Sequence, residues 1–69
     1  MKTHVNHIVV REDDDEAEAR AYAYGLALQL ARKGGTEKAR LTTRRAAERL
    51  KDGHVSSVSL GGTIVGVEP

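Results

Sequence analysis

Apolar and polar positions along this chain follow two different periods, and the switches between them mark out its elements. Residues 4–10, HVNHIVV, read as a strand. Ile8 and Val10 share one face with His4 and Asn6, while Val5, His7 and Val9 take the other. The run Ile8-Val9-Val10 is apolar on both faces, and Ile8 and Val10 are read as core-facing. Residues 14–33, DDEAEARAYAYGLALQLARK, switch to helical spacing and predict one long helix with two apolar stripes. At about 100° per residue, Ala19, Tyr22, Ala23, Leu26, Ala27 and Leu30 gather on one side. Ala17, Ala21, Tyr24, Leu28 and Ala31 fall on the opposite side, with Gly25 at the edge of that stripe. Packing on a sheet requires one stripe, so the second is a candidate partner interface. Asp13 is the expected N-cap, with Glu16 in a capping-box position, and Gly34 or Gly35 the expected C-cap.

A second helical pattern runs from Thr36 to Lys51 on a narrow stripe of Ala39, Thr43, Ala46, Ala47 and Leu50. Leu41-Thr42-Thr43 is expected to interrupt it, leaving a short helix over 43–51 that Gly53 closes, with weaker helical character over 37–41. The last segment alternates again. HVSSVSL and TIVGVE flank Gly61-Gly62, a two-residue turn of the primed type. That turn pairs Leu60 with Thr63, Val58 with Val65 and Ser56 with Val67. It buries Val58, Leu60, Val65 and Val67 on one face and leaves Ser57, Ser59, Ile64 and Gly66 on the other. The stretch Thr63–Val67 is the least polar strand and suits the centre of a sheet. The elements predict an α+β fold: a two-layer β-α-α-β-β domain spanning 1–69, its three-stranded sheet ordered 1-3-2, with a long and a short helix on one face.

Composition narrows this picture. A chain of 69 residues without Phe or Trp must build its core from Val, Ile, Leu and Ala, and such a core supplies only about 3–5 kcal/mol. Absence of cysteine excludes disulfides and thiolate metal sites. No apolar run approaches ~18 residues and the first ten lack a signal-peptide layout, so a cytoplasmic protein without membrane contact is expected. The abundance of Ala, Arg, Gly and Val suggests a GC-rich bacterial or phage source. The net charge of +1 conceals segregation: residues 12–18 carry Glu12, Asp13, Asp14, Asp15, Glu16 and Glu18 and no basic group, whereas Arg32, Lys33, Lys38, Arg40, Arg44, Arg45, Arg49 and Lys51 crowd the middle.

Little catalytic chemistry emerges. His4 and His7, three apart on a strand, are expected on opposite faces and so cannot chelate together, and His54 adds only one ligand. No metal or cofactor is therefore expected. Ser56, Ser57 and Ser59 follow ordinary sheet alternation, and no nucleophile elbow or phosphate loop is present. The expectation is no enzyme and no small-molecule substrate.

On a helix over 37–51, Arg40, Arg44 and Lys51 cluster on one flank and Lys38, Arg45 and Arg49 on the other, as candidate nucleic-acid contacts. LTTRRAAERL at 41–50 resembles the opening helix of excisionase-type, MerR-like winged helix-turn-helix proteins, and DGHVSSVSLGGTIVGVE resembles their terminal wing. The resemblance covers under half the chain and implies DNA binding. Between these parts that family carries a recognition helix, whereas this sequence passes directly from Leu50 to Gly53. The leading expectation is a non-enzymatic interaction or regulatory module, a homodimer or the ligand of another protein. It docks through Ala17, Ala21, Tyr24, Gly25, Leu28 and Ala31, because a 20-residue helix of about 30 Å overhangs strands of about 20 Å. The alternative is a nucleic-acid-binding accessory protein using residues 38–51 and the hairpin.

Overall fold

The computed structural model describes residues 1–31 and 36–69. Its elements run β1 (Lys2–Val5), β2 (Ile8–Glu12), α1 (Glu16–Ala31), α2 (Glu37–Asp52), β3 (Ser57–Leu60) and β4 (Thr63–Glu68). The strands form one antiparallel sheet in the order β2-β1-β4-β3. Both helices pack on one face of it. The α+β class and the pairing of first strand with last hold, and β4 is central as expected. The three-stranded sheet does not, because the segment read as one strand is a hairpin.

Asn6 and His7 have φ of 50° and 70°, the left-handed pair that a two-residue primed turn requires. Asn is among the residues that tolerate this region, and its side chain fixes the turn: Asn6 Oδ1 accepts from the Ile64 amide at 2.9 Å, and the Asn6 amide donates to the Ile64 carbonyl at 2.8 Å. β2 therefore folds back beside β1, and Val10 is an extra residue opposite the Thr3–His4 step. The face reading fails with it: Ile8 and Val10 are 69% and 47% exposed, and β1 places Thr3 and Val5 on the core side instead. Glycine, which has no Cβ, would remove the strain at His7. His7→Gly should raise stability by about 1 kcal/mol, read as a higher urea midpoint at unchanged slope.

The second hairpin matches its sequence. Gly61 and Gly62 have φ of 59° and 94°, and Leu60 pairs with Thr63 and Val58 with Val65. Ser56 accepts from the Val67 amide at 2.8 Å, continuing the same register. Val58, Val65 and Val67 are buried beneath Ala19 and Ala23 of α1 and Leu50 of α2, with Val5, Leu26, Leu30 and Leu60 packed around them. The first stripe of α1 is thus the core stripe.

Both helices differ at their ends from expectation. α1 starts two residues late because Met1 and Asp13 exchange main-chain hydrogen bonds of 2.8 and 2.9 Å, extending the β1–β2 ladder. Asp15, not Asp13, is the N-cap, its Oδ1 accepting from the Ala17 amide at 3.1 Å. The 16 described residues of α1 span about 24 Å. Gly34 and Gly35, with Arg32 and Lys33, lie outside the described residues. α2 is no shorter: it also has 16 residues, from the Thr36 cap onward. Leu41-Thr42-Thr43 does not break it, since Thr42 and Thr43 donate their hydroxyls to the carbonyls of Lys38 and Ala39 at 3.0 and 2.9 Å. Gly53, at φ 85°, ends the helix as expected, and the His54 amide donates to the Arg49 carbonyl at 3.0 Å.

Candidate interaction surfaces

The predicted docking stripe is divided by the packing of α2 against α1. Ala17 and Ala21 are exposed, Gly25 and Leu28 are half-buried, and a Cβ at Gly25 would meet nothing within 4 Å. Tyr24 is half-buried and turned toward α2, whose Lys51 ammonium lies 5.0 Å from its ring centre. Ala31 is the last described residue of α1, and its side chain is outside the described residues.

Beside Tyr24 the two helices are joined by Arg20, which lay between the stripes in the sequence. Its Nη1 donates to the carbonyls of Leu50 at 2.8 Å and Val55 at 3.0 Å, and its Nε donates to Glu16 Oε1 at 2.9 Å. A cation is placed at the C-terminal end of α2, against the Leu50 carbonyl, which the Gly53 amide reaches only at 3.4 Å, and the Val55 carbonyl of the following loop. An open groove of about 410 Å3 surrounds this contact, lined by Asp15, Glu16, Ala17, Arg20, Lys51, Asp52 and Gly53. Its charged groups are largely committed to the fold: Asp15 caps α1, Glu16 pairs with Arg20, and Arg20 closes α2. Two members of the acidic run find ion partners nearby, Asp13 on Arg11 at 3.1 Å and Glu16 on Arg20 at 2.9 Å.

α2 carries the six candidate cations Lys38, Arg40, Arg44, Arg45, Arg49 and Lys51, and all are exposed. Arg44 approaches Glu48 at 3.8 Å, and among the described residues the other five enter no ion pair. From Gly53 the chain reaches β3 at Ser57, and no helix intervenes where the winged helix-turn-helix pattern places its recognition helix.

The sequence reading missed a third surface. β2 is exposed at every position, and Ile8, Val9 and Val10 (69, 45 and 47%) join Leu41 as the exposed large hydrophobics. The two positive-φ residues at Asn6-His7 hid this strand, and the only available signal was Asn at the first turn position.

The hairpin also corrects the histidine geometry. The rings of His4 and His7 stack with centres 6.2 Å apart and planes at 16° instead of pointing to opposite faces. His4 is half-buried against Gly66 on the face away from the helices, and its Nδ1 has no partner among the described residues. Parallel stacking does not converge two nitrogens on one ion, and among the described residues no three His, Asp or Glu side chains gather as a metal site requires.

No protein-family model, curated protein or solved structure matches this chain. No described helix is long and apolar enough to cross a membrane.

Proposed function

We propose that this chain is a small non-enzymatic protein–protein interaction module, a cytoplasmic accessory protein of bacterial or phage type whose first partner is a second copy of itself. One observation carries the reading: its exposed bulk lies on an edge strand and on the outer part of α2, away from the charged groove. The solvent side of α1 adds small residues, Ala17, Ala21 and Gly25, beside Leu28, which supports helix docking. Sedimentation equilibrium from about 10 to 500 μM, the range of a weak interface, tests it. The expected mass rises from 7.5 kDa toward twice that value. A mass that stays at 7.5 kDa throughout defeats self-docking.

The exposure of all six cations on α2 favours a second reading, nucleic-acid binding through Lys38, Arg40, Arg44, Arg45, Arg49 and Lys51. Such contacts release counterions, so four of them demand a log–log salt slope of about −3.6 with a labelled duplex. Binding that is absent at low salt, or flat with salt, removes this reading. No aromatic residue lies in α2 to stack on bases, which makes the reading second.

A further inference from the structure

We infer that β2 is the self-docking edge of this protein: two copies pair β2 with β2, antiparallel, about a twofold axis at Val9, and their sheets merge into one of eight strands. This rests on the interaction-module reading and names its surface.

The backbone supplies the first argument. β2 is bonded to β1 on one side only. In a two-residue hairpin the pair beside the turn, here Val5 and Ile8, exchanges both hydrogen bonds, and the next pair, His4 and Val9, exchanges none. The amide and carbonyl of Val9 therefore point out of the sheet. An outward amide and carbonyl on one edge residue are satisfied together by another extended strand, which fixes the kind of occupant.

The side chains select a second copy. A twofold antiparallel pair must centre on a residue that faces itself. Centred on Val9, Ile8 meets Val10 of the second copy twice, and every central contact is apolar. Centring on Val10 sets Ile8 against Glu12 and Val9 against Arg11, and centring on Arg11 opposes two guanidinium groups. Only the first choice matches like with like. Beyond these contacts no like charges meet: Arg11 lies on the helix side, held by Asp13 at 3.1 Å and by the Tyr22 ring at 4.5 Å, and His7 stacks on His4 on the other face. The net charge of +1 per chain gives little long-range repulsion.

The two edges of the sheet also differ. Natural edge strands are blunted by charge, proline or a bulge. β3, the opposite edge, presents exposed Ser57 and Ser59. β2 presents Ile8, Val9 and Val10, its one bulge falls at the last of the three, and its charges at Arg11 and Glu12 come only after them. A helix-free flank of three apolar residues buries less than the ~1,200 Å2 of a standard interface, so the pairing is weak and forms at tens to hundreds of micromolar.

Sedimentation equilibrium of three variants beside the wild type, with thermal melts of each, tests the pairing. Val9→Pro removes an outward amide that β1 does not use, and Ile8→Lys places a charge beside Val10 of the second copy. Each should weaken association at least tenfold while the monomer stays folded, and Leu28→Glu on α1 should leave it unchanged. Protection of the Val9 amide from exchange should also rise with protein concentration, a readout that needs no variant. Should Val9→Pro and Ile8→Lys dimerise like the wild type while Leu28→Glu does not, β2 is not the interface and the module docks through α1. A wild type that remains monomeric at about 500 μM overturns the β2 pairing and self-docking together.

Discussion

Arg20→Met should cost about 3 kcal/mol of folding free energy, the combined loss of two charge-assisted hydrogen bonds and a helix-end cation. The substitution keeps the unbranched stem and deletes the guanidinium, whose Nη1 serves the Leu50 and Val55 carbonyls at 2.8 and 3.0 Å. The Arg20 side chain is only 13% exposed, so water cannot simply replace it. A core worth about 3–5 kcal/mol leaves little reserve, and the variant should be largely unfolded in mild urea. Glu16 is 61% exposed, and losing its i,i+4 pair with Arg20 through Glu16→Gln should cost less than about 0.5 kcal/mol. Arg20→Lys should recover only part of the loss, because an ammonium lacks the planar fork that reaches both carbonyls and Glu16. Urea unfolding of the three variants measures this. A loss below about 1 kcal/mol for Arg20→Met would show that the joint between the helices depends on packing alone.

Arg20 also illustrates what can be read from the sequence. Its place between two apolar stripes follows from helical spacing, but partners thirty and thirty-five positions away do not. The core stripe of α1 and the C-terminal hairpin were readable because each is written in local terms: apolar spacing in one case, and strict alternation around two glycines in the other. The N-terminal hairpin was not. Its turn uses Asn6 and His7 where glycine would announce it, and Ile8-Val9-Val10 reads equally well as the end of one buried strand. The beginning of α2 was obscured by β-branched threonines, which the helix accommodates by turning their hydroxyls back onto its own carbonyls. Among the surfaces, the exposure of the α2 cations followed from the narrow stripe opposite them. The exposed β2 edge could not be seen until the strand was divided, and the division between half-buried Tyr24 and open Ala21 depends on how α2 lies.

Gly66→Ala should destabilise the fold by about 2–3 kcal/mol, as overpacking of a filled space does. Gly66 lies at the centre of the sheet, paired with His4 on one side and Ser57 on the other. An added Cβ would stand 2.6 Å from His4 Cε1, 2.8 Å from the Ser56 carbonyl oxygen and 2.8 Å from Ser57 Cβ. These obstacles are not equivalent. The imidazole can swing toward solvent at modest cost, since it borders the uncovered face. The Ser56 oxygen is main chain and accepts from the Val67 amide at 2.8 Å, so moving it breaks the last bond joining the β3 side to β4. Removing the ring should therefore not rescue the methyl group: Gly66→Ala combined with His4→Ala should remain at least as unstable as Gly66→Ala alone. His4→Ala by itself should cost less than Gly66→Ala. Urea midpoints of the two single variants and the double variant complete the cycle. Recovery of wild-type stability in the double variant would identify the imidazole as the obstacle and acquit the Ser56 carbonyl.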